Sequence, residues 1–110
     1  MVEDTDQDNY CIIITSVKSK DEARNLASSL IKAKLGGCVQ ILPVESFFIW
    51  ENEAKAVDEY LLVIKTKGSL YSSVENFIKA NHSYETPEII RISIQGGLAE
   101  YLHFIDDVTI

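Results

Sequence analysis

Apolar positions change their spacing several times along this chain, and each change marks an element. From Tyr10 the residues YCIIITSV form a β-branched run closed by the polar KSKDE, which predicts a first strand. Ala23, Leu26, Ala27, Leu30 and Ile31 then recur at helical spacing. Ahead of them Ser19 and Glu22 spell a capping box, in which the hydroxyl and the carboxylate each satisfy a backbone N–H at a helix start. The spacing predicts a helix over about Lys20 to Leu35, with Gly36 and Gly37 supplying the permissive backbone needed to leave it.

Cys38 opens a long extended stretch, CVQILPVESFFIW, in which Pro43 points to an edge strand or a bulge. The segment ENEA turns the chain back, and the run ending in EYLLVIKT completes a hairpin. Its arms are about twelve residues long, against a usual ~5 to 6. Ser69 is placed to cap a second helix with Leu70, Val74, Phe77 and Ile78 on its apolar stripe. EIIRISI reads as a fourth strand, Gly96 and Gly97 end it, and Leu98, Tyr101, Leu102 and Ile105 outline a short third helix.

This order predicts an α+β, ferredoxin-like βαββαβ domain over residues 10–110, with an extended hairpin between strands two and three and an extra C-terminal helix. An acidic tail over residues 1–9, expected to be disordered, precedes it. Right-handed crossovers make strand one parallel to strand two and put strand three between them. Those two strands then lie about 9.6 Å apart, beyond the ~7 Å reach of a disulfide, so Cys11 and Cys38 are not expected to pair. Strands one and three are apolar on both faces, yet two helices cover one face only. Of Leu62 and Val63, one must face the core and the other an interface, which predicts an oligomer built through the sheet.

Charge narrows the partners. Ten basic residues stand against seventeen acidic ones in 110, a net charge of -7, with no basic cluster among aromatics, which argues against nucleic acid. No apolar run approaches the ~20 residues of a membrane span, and the start is acidic where a signal peptide is basic. The expectation is a cytoplasmic protein with reduced thiols and no membrane insertion. Without a G-x-S-x-G setting or a Gly-rich phosphate loop, neither an enzyme nor an organic cofactor is expected.

Candidate chemistry gathers in NHSYETPEII, residues 81–90. Thiolate and imidazole together suit copper or zinc. Taken alone, two cysteines and two histidines without close spacing leave a metal site and a plain loop both open. Cys38 then reads equally as a small buried apolar residue, His82 as a helix cap, Tyr84 as a packing ring, and Glu85 with Glu88 as solvated charge.

The order of these residues resembles the CutA divalent-cation tolerance family. GGCV at 36–39, LLVIKT at 61–66 and above all HSYETPEII at 82–90 carry the likeness, which runs from about Cys11 to Ile105. Trp50, Glu59 and YLHFI fit the family's hairpin and closing helix. Ser83 stands where the family generally has proline, and Asn52-Glu53 replaces a usual Gly-Lys at the hairpin turn, where asparagine tolerates the left-handed conformation.

The resemblance implies a homotrimer with a role in divalent-metal tolerance that binds copper or a similar ion. His82, Cys38 and Glu85 become the metal ligands, and Tyr84, Lys65, Glu59 and Trp50 cleft residues. Strand two begins at one end of the sheet and strand four at the other, so Cys38 and His82 are far apart in one chain and a site using both bridges subunits. Two alternatives remain: a sensor resembling the PII trimers, taking a small anion with Lys65 as the cation, and a structural or anchoring trimer with no metal role.

Overall fold

A computed structural model describes residues 9–110; apart from Asn9, the acidic tail expected from the sequence lies outside the described residues. The elements run β1 (Tyr10–Val17), α1 (Lys20–Lys32), β2 (Cys38–Trp50), β3 (Glu53–Lys67), α2 (Tyr71–Asn81), β4 (Ile89–Ser93) and α3 (Ala99–Val108), with a 3-10 turn, Gly68–Leu70, leading into α2. All neighbouring strands are antiparallel, in the order β2-β3-β1-β4. The ferredoxin-like order read from the sequence is therefore the observed one. Strand β3 separates Cys11 from Cys38, and both remain thiols.

Alternation along the strands sorts the sheet into two faces. Cys11, Ile13 and Val17 of β1 and Leu62 and Ile64 of β3 turn to one side, where Ala23, Leu26 and Leu30 of α1 and Val74 and Ile78 of α2 close the core. The opposite side carries Ile12, Ile14, Leu61 and Val63, all half-buried, with Ile90, Ile92 and Leu42 still 46–47% exposed. Helix α3 lies across one end of this face: Tyr10 donates to Asp106 at 2.7 Å, Lys65 Nζ sits 5.8 Å from the Tyr101 ring centroid, and Ile105 packs on Gly37. Beyond α3 the face is open among the described residues.

Several local expectations are corrected. α1 stops at Lys32, and it is Lys34, at φ 60°, that takes the left-handed turn out of the helix. Lys34 N–H donates to Ile31 O and Leu35 N–H to Leu30 O, both at 3.0 Å, the paired bonds of a Schellman ending. Gly36 and Gly37 are needed for room instead: a Cβ on Gly37 would lie 3.2 Å from Lys65 O, and one on Gly36 3.3 Å from Val39 Cγ2. Ser69 does not cap α2, because the 3-10 turn carries the chain straight into it. The hairpin turns on Glu51 and Asn52, both at positive φ, one residue earlier than expected.

Pro43 sits on an edge strand with unbroken register, so no bulge accompanies it. The hairpin arms are 13 and 15 residues long, and β1 pairs with β3 only over residues 60–67. Among the described residues, 53–59 of β3 therefore have β2 alone as a sheet partner, and the ribbon they form exposes Phe47, Phe48, Ile49 and Trp50.

Candidate functional site

The loop between α2 and β4 closes the end of the sheet opposite α3. His82 is the C-cap of α2 and leaves the helix with extended backbone. Its ring Nε2 lies 2.8 Å from Ser16 O, and Tyr84 N–H donates to its Nδ1 at 3.0 Å. A carbonyl only accepts, so Nε2 carries the proton and Nδ1 the lone pair. The ring is thereby fixed in one tautomer by two backbone groups.

Tyr84 reaches across the sheet end and donates its hydroxyl to Glu59 Oε2 at 2.7 Å. Glu59, 6% exposed, lies on the open face of β3 opposite Val44, and the phenol supplies its hydrogen bond there. Burial first, then the bond to Glu59 and its charge, pushes the Tyr84 hydroxyl up to about 12. Ser16 Oγ donates to Glu88 Oε1 at 3.4 Å, and Ser83 donates both its N–H and its hydroxyl to Glu22, at 3.0 and 2.9 Å. Glu85 is exposed.

The remaining candidates lie elsewhere. Cys38 pairs with Lys65 at the α3 end of the open face. Burial, followed by the charge of the neighbouring Cys38 and a hydrogen bond to it, raises the Tyr101 phenol. From Cys38 to the strand position that His82 touches is about 13 Å along the sheet and about 10 Å across it, far beyond a shared coordination sphere. Trp50 lies at the hairpin tip, about 20 Å along the ribbon from Glu59. One chain thus brings together His82, Tyr84 and Glu59 but not Cys38, Lys65 or Trp50. Among the described residues no three His, Cys, Asp or Glu side chains converge as a metal centre would require.

Two open hollows lie on the surface: one of about 500 Å³ beside Tyr10, Lys67 and Arg91, away from the loop, and one of about 350 Å³ between α1 and α2, which Glu22 and Asn81 line beside it. Neither is lined by His82, Tyr84 or Cys38. Glu22, Ser16 and Glu88 belong to the polar network at the sheet end, and the sequence reading placed none of them there. Glu22 had a signal in the capping box, but it pointed to α1 itself; Glu88 stood inside the singled-out NHSYETPEII segment but read as solvated charge, and Ser16 had none.

The architecture defines a class, the ferredoxin-like α+β domain with an overlong β2-β3 hairpin and a third helix on the free sheet face. Residues 11–108 match the family model of the CutA1 divalent ion tolerance protein, and the chain belongs to that family. It is 40% identical over 95 residues to the divalent-cation tolerance protein CutA of Archaeoglobus fulgidus, covering 86% of this chain and 93% of that one. Chloroplastic CutA 1 of Oryza sativa is 38% identical over 99 residues, but this chain spans only 56% of its length. Among solved structures, the A. fulgidus protein, described as periplasmic, superposes with a TM-score of 0.89 at 38% identity over 90% of this chain and 97% of its own. CutA1 of O. sativa gives 0.90 at 37% identity, over 92% and 94%. Among the described residues no helix is long and apolar enough to cross a membrane.

Proposed function

We propose that this chain assembles as a homotrimer through the open face of its sheet and binds copper, or a similar divalent metal, in the clefts between subunits. The observation that carries the metal reading is the state of the His82 ring. Metal-bound imidazoles almost always donate their other N–H to a carbonyl or carboxylate, which fixes the tautomer. His82 already donates Nε2–H to Ser16 O, and its lone-pair nitrogen accepts the N–H of Tyr84, a bond that a metal at Nδ1 replaces.

Within one chain the donors do not close a site, so the fit depends on a second subunit bringing its Cys38 end toward this loop. His82, Cys38 and Glu85 would hold the ion, with Tyr84 and Glu59 bracing the loop behind them. A thiolate and an imidazole suit copper, and a reduced thiol accords with a cytoplasmic setting. Assembly is supported by the unroofed apolar face and by the unpaired edge of residues 53–59, which a neighbouring chain can satisfy. The reading includes no catalytic step and no organic cofactor.

The test is a copper titration of the purified protein against a chelator of known affinity, beside His82→Ala and Cys38→Ser variants of confirmed oligomeric state. Tight binding lost in either variant supports the reading. Weak binding that survives both refutes it. The anion-cleft alternative is favoured by one observation, the Lys65 ammonium held over Tyr101 on the open face. Binding of a small dianion that is lost in Lys65→Ala, with no tight copper binding, would decide for it.

A further inference from the structure

A capping box returns the glutamate at its third helical position to the backbone at the helix start. Here only half of the box forms. Ser19 accepts the Glu22 N–H at 3.1 Å, but both oxygens of the Glu22 carboxylate turn to Ser83, 61 residues further along. We infer that Glu22 is the positioning residue of the α2–β4 loop and holds the His82 ring in its ligand-competent orientation, an inference that rests on the metal reading above.

The path is short and covalent. Ser83 N–H belongs to the peptide plane that joins His82 to Ser83, so a carboxylate fixed on that N–H fixes the ψ of His82, observed at 142°. The same plane sets the course of the chain to Tyr84, whose N–H meets His82 Nδ1. Hydrogen bonds to an ionised carboxylate are the stronger class, and Ser83 supplies two to one group, which makes Glu22 a clamp with direction as well as strength. Its origin in the first turn of α1 matters too, because α1 is locked into the core by Ala23 and Leu26. The loop is thus referenced to a rigid element.

The experiment follows the His82 ring by ¹⁵N–¹H NMR on the full chain and, on the same samples, copper affinity by chelator competition. The expected result is a protected Nε2–H signal in the wild type and in Glu22→Gln, whose amide keeps an acceptor for Ser83 N–H and a donor for Ser83 Oγ. Ser19→Ala, which removes the cap of α1 without touching the loop, should keep the signal as well. Glu22→Ala should lose it to exchange and bind copper about ten- to hundredfold more weakly, the usual cost of removing an outer-shell partner. Ser83→Ala, which leaves α1 intact and deletes one of the two bonds, should show a smaller loss in the same direction.

A Glu22→Ala protein with the wild-type ring spectrum overturns the inference. So does one with wild-type copper affinity when His82→Ala has lost it. Should the wild type bind no copper, the metal reading fails by itself, and the ring spectrum still decides what Glu22 does.

Discussion

Tyr84 donates its hydroxyl to Glu59 at 2.7 Å, and that bond joins the loop after α2 to a carboxylate that β3 leaves 6% exposed. Removing the hydroxyl strands a buried acceptor, and such a loss costs about 1–3 kcal/mol. Tyr84→Phe is therefore expected to lower the unfolding free energy by that amount, read as a lower denaturant midpoint at unchanged slope. Replacing both partners, Tyr84→Phe with Glu59→Leu, should recover much of the loss, because no buried charge is left behind. Equal stability of the single and double variants would show that the bond is not what holds Glu59.

The same pair makes an alkaline prediction. The Tyr84 hydroxyl is raised from 10.0 to about 12 in the fold, chiefly by burial and then by Glu59. In the unfolded chain it ionises near its ordinary value, so between the two the unfolded state binds fewer protons and stability falls as pH rises. The contribution is complete below about pH 10 and is lost by about pH 12. Tyr10, Tyr71 and Tyr101 are raised too, so the measurement is a difference: phenolate absorbance of the wild type minus that of Tyr84→Phe. A component near 12 is expected, and one centred near 10 would contradict the geometry.

Thr15 sets up a gain in stability. Its side chain is wholly buried on the helix side of β1, and its Oγ1 has no hydrogen-bond partner among the described residues. A buried hydroxyl without a partner costs about 1–3 kcal/mol by protein mutational measures, and valine has nearly its shape. Thr15→Val should raise the thermal midpoint by an amount equivalent to about 1 kcal/mol or more. A lower midpoint would reveal a partner for the hydroxyl.

The fold was legible because β-branched runs and helical spacing are local signals that the core reinforces. Ile13, Leu62 and Ile64 are apolar and wholly buried, while Val74 and Ile78 recur at the period that faces them. Helix ends were less legible. A lysine in the left-handed region costs about 1–2 kcal/mol, so nothing in the sequence favoured Lys34 over the glycines beyond it, and only the Schellman bonds and the tight space around Gly36 and Gly37 decide otherwise. The loop network was hidden for another reason. His82 meets Ser16 across 66 residues and Ser83 meets Glu22 across 61, and such pairs become visible only after β1, α1 and α2 are packed.

Leu62 and Val63 separate folding from assembly. Leu62 is wholly buried against α1 and α2, so Leu62→Ala should cost about 2–5 kcal/mol and Leu62→Asp should prevent folding. Val63 faces the other way, between Gln40 of β2 and Ile14 of β1, and is only half-buried in one chain. An aspartate there can remain hydrated while the chain is alone, but assembly through this face would bury its charge without a partner, at a cost of several kcal/mol per ion. Val63→Asp is therefore expected to keep its strand and helix content while light scattering at micromolar concentration reports single chains in place of three. A trimeric Val63→Asp would move the interface to another face. If the monomer forms and binds copper as tightly as the wild type, no bridging site is needed, and the assignment of Cys38 and His82 to one intersubunit cleft fails with it.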